Sequence, residues 1–102
     1  MATNATSGSL IGQRVIVRTY SAGVHYGTLE SKDGKEVTLA NSRWIWKWVG
    51  AFTLNEIALN GITNESKLSA MVPVTVLPES IQIIPVSPKA ARILDSIPNF
   101  KP

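Results

Sequence analysis

The first half of the chain consists of short segments in which apolar and polar side chains alternate. In the first segment, Val15 and Val17 fall on one side of an extended chain, and Arg14 and Arg18 fall on the other. A period of two over β-branched residues is typical of β-strands. The predicted strands are residues 13–20, 24–31, 36–40 and 43–49, and the turns between them are residues 21–23, 33–34 and 41–42.

A helix signal follows the fourth predicted strand. Thr53 and Glu56 have the spacing of a capping box, in which each side chain accepts a hydrogen bond from the other residue's amide. Leu54 and Ile57 begin an apolar stripe at helical spacing, and Gly61 supplies a C-terminal stop. The pattern therefore predicts a helix of about two turns, which tertiary packing must hold.

The rest of the chain predicts two extended segments and a second helix. Residues 68–77 and 80–86 are rich in β-branched side chains, and Pro73 places the first segment at a sheet edge or a bulge because it has no amide proton to donate. Ser87 and Pro88 have the form of a helix N-cap and first helical position. These signals predict a helix near the C-terminus.

Together these elements predict a small α+β domain. Its mostly antiparallel sheet has about six short strands and is curled or partly barrel-like, with one short helix after the fourth strand and one C-terminal helix. Residues 1–9 are small and polar and are predicted to be a flexible tail, which leaves residues 10–102 as a single domain. A chain of 102 residues buries a limited share of its surface, so we expect it to form a homo-oligomer.

The composition excludes several classes of protein. The chain has no cysteine and a single histidine, which rules out disulfides, zinc–thiolate sites and a multi-histidine metal site within one chain. No apolar run approaches the length of a membrane span, so no membrane association is expected. Nucleophile, phosphate-loop and paired-carboxylate motifs are also absent. We therefore predict a protein that is not an enzyme and that needs no cofactor.

The positive charge and the aromatic residues are concentrated in one half of the sequence. Residues 1–51 contain six Lys/Arg and three Asp/Glu, whereas residues 52–102 contain four of each. Five of the seven aromatic residues also lie in the first half. A basic and aromatic half suits an anionic ligand with flat rings, such as a nucleotide. The alternative is an ordinary net charge and a set of core aromatic side chains.

Three tryptophans at a spacing of two form the most unusual feature. On an extended strand Trp44, Trp46 and Trp48 share one face, and Arg43 and Lys47 share the other. In one interpretation this stripe packs under the helices or across a subunit interface. In the other, one or two indoles form a stacking platform, with Arg43 or Lys47 close enough to bind a phosphate.

Two further segments are candidates for ligand contacts. Residues 20–27 place small residues between aromatic ones, so that backbone amides, the Ser21 hydroxyl and the Tyr20 ring can approach a ligand. An ordinary hairpin turn looks similar, and a lone histidine such as His25 is more often a surface or structural residue than a group that carries or donates a proton. The amides around Thr53 can accommodate an anion, although a capped helix without a ligand has the same sequence.

From Tyr20 onward the sequence resembles a family of small proteins of unknown function that bacteriophages and prophages encode. The segments that carry the resemblance span about three quarters of the chain: TYSAGVHYGTLESKDGKEVTLANSRWIWKW, GAFTLNEIALNG and VPVTVLPESIQIIPV. The most specific element, R-x-I-W-x-W-x-G-A-x-T-L, falls on Arg43, Ile45, Trp46, Trp48, Gly50, Ala51, Thr53 and Leu54. The family pattern usually has a second basic residue after the first arginine. This chain has Trp44 there, which lowers the local positive charge.

The resemblance implies a phage-like origin. Small phage proteins of this size often counter host defences. One class of them acts as sponges, which are symmetric, non-catalytic oligomers that sequester nucleotide immune signals. The chain is compatible with that class in size, in its basic and aromatic half and in its lack of catalytic motifs.

We therefore expect a non-enzymatic protein of the bacterial host cytoplasm that sequesters a nucleotide-derived, cyclic signal. Arg43 would pair with phosphate and Trp46 or Trp48 would stack on a base, while the turn at residues 20–25 and the amides near Thr53 would close the site. The alternatives are an inhibitor that docks on a host defence protein, a nucleic-acid-binding module and a virion accessory protein. Nucleic acid is the less favoured partner, because a net charge of +3 supplies few phosphate contacts.

Overall fold

The computed structural model describes residues 7–102. Most of the tail predicted over residues 1–9 lies outside the described residues, and its last three residues belong to a short 3₁₀ helix, Ser7–Leu10. Leu10 is buried at the end of this turn, so the chain is already part of the packed structure where the sheet begins.

Within residues 7–102, six strands form one antiparallel sheet. The elements are β1 Arg14–Thr19, β2 Val24–Asp33, β3 Glu36–Lys47, α1 Leu54–Asn60, β4 Lys67–Leu68, β5 Val72–Leu77, β6 Ser80–Pro85 and α2 Pro88–Ser96. β1 lies between β2 and β6, and β3 pairs with β2 on one side and with both β4 and β5 on the other. This architecture, with one helix in mid-chain and one near the C-terminus, confirms the predicted α+β class.

The sheet is strongly curled. Only residues 78–79 separate β5 from β6, although β5 pairs with β3 and β6 pairs with β1, on either side of β2. The amide of Tyr20 donates to the Glu79 carbonyl and the amide of Ser80 donates to the Lys35 carbonyl, each at 2.9 Å. These bonds draw the two edges together at one end, yet the sheet stays open.

The turn predicted at residues 41–42 is wrong, because the chain forms a β-bulge there. β3 continues through this point, and Asn41 adopts a φ of 48° in the left-handed region. The register between β2 and β3 shifts opposite it, between Tyr26 and Thr28. Asparagine is one of the few residues other than glycine that tolerates this conformation, in bulges as well as in turns.

The bulge exchanges the two faces of the sheet along β3. Before it, Val37 and Leu39 are buried inside the curl; after it, Ile45 is buried beneath the helices. One inserted residue reverses the direction of every later side chain in the strand. Trp44 and Trp46 consequently lie on the face opposite Ile45 and are 43% and 55% exposed.

Each face of the sheet therefore has its own apolar cluster. One cluster lies between the sheet and the two helices, and the other fills the inside of the curl. The buried members of the first are Ile16, Tyr26, Ile45, Ile57, Ala58, Ile62, Leu68, Leu94 and Ile97. Those of the second are Leu10, Val15, Val17, Leu29, Val37, Leu39 and Leu77.

The helix caps confirm the sequence signals. The Thr53–Glu56 capping box is present at the start of α1, and Gly61 ends this helix with a φ of 79°. The Ser87 hydroxyl accepts a hydrogen bond from the Ala90 amide at 3.0 Å and donates one to the Leu59 carbonyl at 2.8 Å. Ser87 thus begins α2 and also joins it to the end of α1.

Candidate functional site

Arg43 is a structural residue in this fold. It is 2% exposed, and its guanidinium donates to the carbonyls of Ser69 and Leu94 at 2.9 and 2.8 Å and to the Asn99 side chain at 3.1 Å. Burial lowers the pKa of Arg43, and the Asp95 carboxylate opposes this change. The bulge turns Arg43 towards the helices, which corrects the prediction that its guanidinium faces a ligand phosphate.

A second guanidinium, that of Arg14, is also held by protein groups. It donates to the Tyr26 hydroxyl at 2.9 Å and to the Asp95 carboxylate at 2.5 Å, and it lies 4.2 Å from the centre of the Tyr26 ring. Burial, together with a hydrogen bond to Asp95, raises the pKa of Tyr26 to about 12, although Arg14 acts against this shift. This cluster fastens α2 to β1 and β2.

The guanidinium of Arg18, in contrast, is exposed and has no hydrogen-bond or ion-pair partner within residues 7–102. It lines a cleft of about 420 Å³ between one end of the sheet and the start of α1. The strand register pairs Arg18 with Val24 on β2 and with Gln82 on β6. The remaining lining residues are Trp48, Thr53, Leu54 and Asn55.

The groups around this cleft are suited to binding a polar, flat molecule. A guanidinium can hold a phosphate or carboxylate through two hydrogen bonds, and the Asn55 and Gln82 amides can both donate and accept. The half-buried Trp48 packs against the core beneath the helices and supplies a ring at the wall of the cleft. The volume falls within the range of small-molecule sites.

Thr53 lines the cleft, but its amide and hydroxyl already form hydrogen bonds within α1 and its cap. Its amide donates to the Glu56 carboxylate at 2.7 Å, and its hydroxyl donates to the same carboxylate while accepting from the Asn55 amide at 3.2 Å. These bonds hold the pKa of Glu56 below its usual value. The lining residues include no carboxylate, histidine or free nucleophile, so they can bind a ligand but offer no acid–base pair.

The other two tryptophans form a separate surface, which we call the ring platform and define as Trp44, Trp46, Phe100 and Lys67. The ring centres of Trp44 and Trp46 are 6.5 Å apart, and those of Trp46 and Phe100 are 6.3 Å apart. The Lys67 ammonium lies 5.2 Å from the Trp46 ring centre and 4.7 Å from that of Phe100. The platform borders a hollow of about 210 Å³.

The turn before β2 supports the edge of this platform. A Cβ atom on Gly23 would lie 2.7 Å from the Trp44 indole nitrogen, so only glycine permits this close approach. His25 is the register partner of Trp44, and its Nε2 lies 2.8 Å from the Ala22 carbonyl. Partial burial lowers the pKa of His25, and the bond to Ala22 opposes the shift. Tyr20 is 76% exposed.

The residues predicted as one site are therefore distributed over several places. Trp48 and Thr53 line the cleft. Trp46 belongs to the ring platform, and Lys47 is the strand-register partner of Lys67, another member of the platform. The predicted Tyr20, Ser21 and His25 lie at the turn, and Arg43 lies in the interior. Sequence reasoning did not single out Arg18, Asn55, Gln82, Lys67 and Phe100.

A third hollow, of about 310 Å³, lies beside the β2–β3 hairpin. Lys32 and Lys35 give it positive charge, but its apolar lining is aliphatic and includes Leu10, Ile81 and Ile83. Without an aromatic ring it is less suited to a flat ligand than the cleft.

Within residues 7–102, no three acidic, histidine or cysteine side chains are placed to hold a metal ion. In the same part of the chain, no helix has the length and apolar character needed to cross a bilayer. A family model described as a domain of unknown function, DUF6948, matches residues 12–94. A comparison with curated proteins found no match.

Proposed function

Because the chain belongs to the DUF6948 family, whose function is unknown, we propose a function from its own geometry: non-enzymatic binding of a nucleotide-derived ligand in the cleft between the sheet and α1. The observation that carries this proposal is that the Arg18 guanidinium, which has no partner within residues 7–102, and the Trp48 ring line one cleft of about 420 Å³. In this proposal Arg18 binds the phosphate and Trp48 contacts the base. The side-chain amides of Asn55 and Gln82 form hydrogen bonds with polar groups of the ligand.

The biological role that fits such binding is sequestration. In this proposal the protein is of phage type, acts in the bacterial host cytoplasm and withdraws a cyclic nucleotide signal from a host defence sensor. Sequestration depends on mass action, because the protein must bind the signal more tightly than the sensor does and must match it in copy number. The cleft's lack of acid–base and nucleophilic groups supports a role in which the ligand stays intact.

Self-association is part of the same proposal, and the surface of β5 supports it. Val72, Val74 and Val76 are 43%, 58% and 52% exposed along a strand that pairs only with β3 among the described residues. Residues 68–77 contain no charged side chain, and charges are a common means by which exposed sheet edges avoid pairing. A homo-oligomer would cover this stripe.

The proposal is tested by calorimetric titration with cyclic dinucleotides, cyclic trinucleotides and cyclised ADP-ribose products. We expect saturable binding of at least one of them, recovery of the ligand unchanged, and an affinity at least tenfold lower in Arg18→Ala. Arg92→Ala is the matched control, since Arg92 is an exposed arginine on α2 without a partner in residues 7–102. Equal loss in both variants, or no binding across the panel, contradicts the proposal.

A further inference from the structure

We propose that the ring platform is a second binding site, which stacks unpaired nucleobases and neutralises the phosphates attached to them. This site does not depend on the cleft. Val24, which lines the cleft, is the register partner of Ile45, and Ile45 points beneath the helices. Trp44 and Trp46 lie on either side of Ile45 in β3 and point to the opposite face.

The platform has the geometry of a stacking surface. The Trp46 ring neighbours the other two at centre-to-centre distances of 6.5 and 6.3 Å and is tilted by 53° and 42° to them, so the rings do not stack on each other. Trp44, Trp46 and Phe100 are each between 41% and 55% exposed. Exposing three neighbouring aromatic side chains to water is unfavourable in free energy. Such rings can stack on successive bases whatever the base sequence.

The charge beside the rings completes the site. The Lys67 ammonium lies over two of the rings, and Lys47 is its partner across the β3–β4 pair. Neither lysine forms an ion pair within residues 7–102. Lys67 lines the hollow beside the rings, so its ammonium can pair with a phosphate bound there.

The buried Arg43 holds this surface in place. Its bond to Asn99 fixes the residue before Phe100, and its bond to the Ser69 carbonyl fixes a residue that borders the platform hollow. The Phe100 amide also donates to the Leu68 carbonyl at 2.9 Å. The rings are thus set before a ligand arrives, which reduces the ordering cost of binding.

The test uses the Arg18→Ala protein, in which binding to the cleft is weakened. Fluorescence anisotropy of labelled hexadeoxyadenylate measures binding to a strand, and unlabelled adenosine monophosphate competes for the same rings. We expect Trp46→Ala and Phe100→Ala each to weaken strand binding about tenfold, and Lys67→Ala to weaken it and to reduce its salt dependence. Lys89→Ala, which removes an exposed lysine of α2, is the control and should change nothing.

The two probes distinguish the source of the ligand. If hexadeoxyadenylate binds at least tenfold more tightly than the monophosphate, successive bases occupy successive rings and the site takes single strands. If the two affinities are equal, the site takes a single free nucleotide. If neither probe binds at millimolar concentration, or if Trp46→Ala and Phe100→Ala bind as well as their parent, the proposal is overturned and the exposed rings are left as a surface for docking on a protein. None of these results depends on whether the cleft binds its own ligand.

Discussion

At the scale of single residues, Arg43 shows how a local motif can mislead about the role of a charged side chain. Next to three tryptophans, it has the surroundings of a phosphate ligand. In the fold its three acceptors lie 26, 51 and 56 residues away in the sequence. The residues next to Arg43 in the sequence do not indicate these partners, so the burial of its guanidinium could not be predicted from the local sequence.

We predict that Arg43→Ala destabilises the protein by about 3 kcal/mol, because it leaves buried carbonyl oxygens without donors. Urea denaturation monitored by circular dichroism measures this loss. Arg43→Lys should recover only part of it, since an ammonium cannot reach all three acceptors in the same plane. Arg92→Ala provides the control and should stay within about 0.5 kcal/mol of the parent. An Arg43→Ala protein as stable as the parent would show that this hydrogen-bond cluster contributes nothing.

Tyr26 is predicted to make stability fall at high pH. Its pKa is raised from 10.0 to about 12 in the folded protein, so between these values the unfolded chain loses a proton that the folded chain keeps. The free energy of unfolding therefore decreases as the pH rises above 10. Urea midpoints of the parent and Tyr26→Phe should diverge in slope over this range, with Tyr20→Phe behaving like the parent. Parallel pH profiles for the parent and Tyr26→Phe would refute the assignment.

At the scale of elements, the sequence correctly predicted the features that depend on residues close together in the chain. The capping box of α1, the Gly61 stop, the Ser87-Pro88 start of α2 and the hairpin at Gly34 depend on residues within a few positions of each other. The Asn41 bulge was misread because the same residue type favours both turns and bulges. That single error divided β3 into two predicted strands.

The bulge itself can be tested by substitution at Asn41. Asn41→Gly should leave the stability within about 0.5 kcal/mol of the parent, and Asn41→Val should cost about 1–2 kcal/mol because a β-branched residue is strained at a φ of 48°. Thermal unfolding of both variants measures the difference. If valine proves as stable as glycine at this position, the left-handed conformation is not present in solution.

At the scale of the whole molecule, curling the sheet and inserting one bulge create two separate aromatic surfaces from one stripe of tryptophans. The strand ends at Lys47, so Trp48 leaves the alternation and turns towards α1, while Trp44 and Trp46 remain on the face opposite the helices. The sequence left open whether the tryptophan stripe lies in the core, at a subunit interface or on a ligand platform. The answer depends on where β3 ends and on which helix covers it. Arg18 was likewise indistinguishable from other strand arginines until the register placed Gln82 beside it.

The most direct measurement of the central claim is the nuclear magnetic resonance spectrum of the three indole N–H groups, assigned with single Trp→Phe variants. Titration with the nucleotide that binds best should shift the Trp48 resonance saturably, and this shift should disappear in Arg18→Ala and persist in Arg92→Ala. A Trp48 resonance that stays fixed while a nucleotide binds would contradict the account, because it would place the ligand outside the cleft between the sheet and α1.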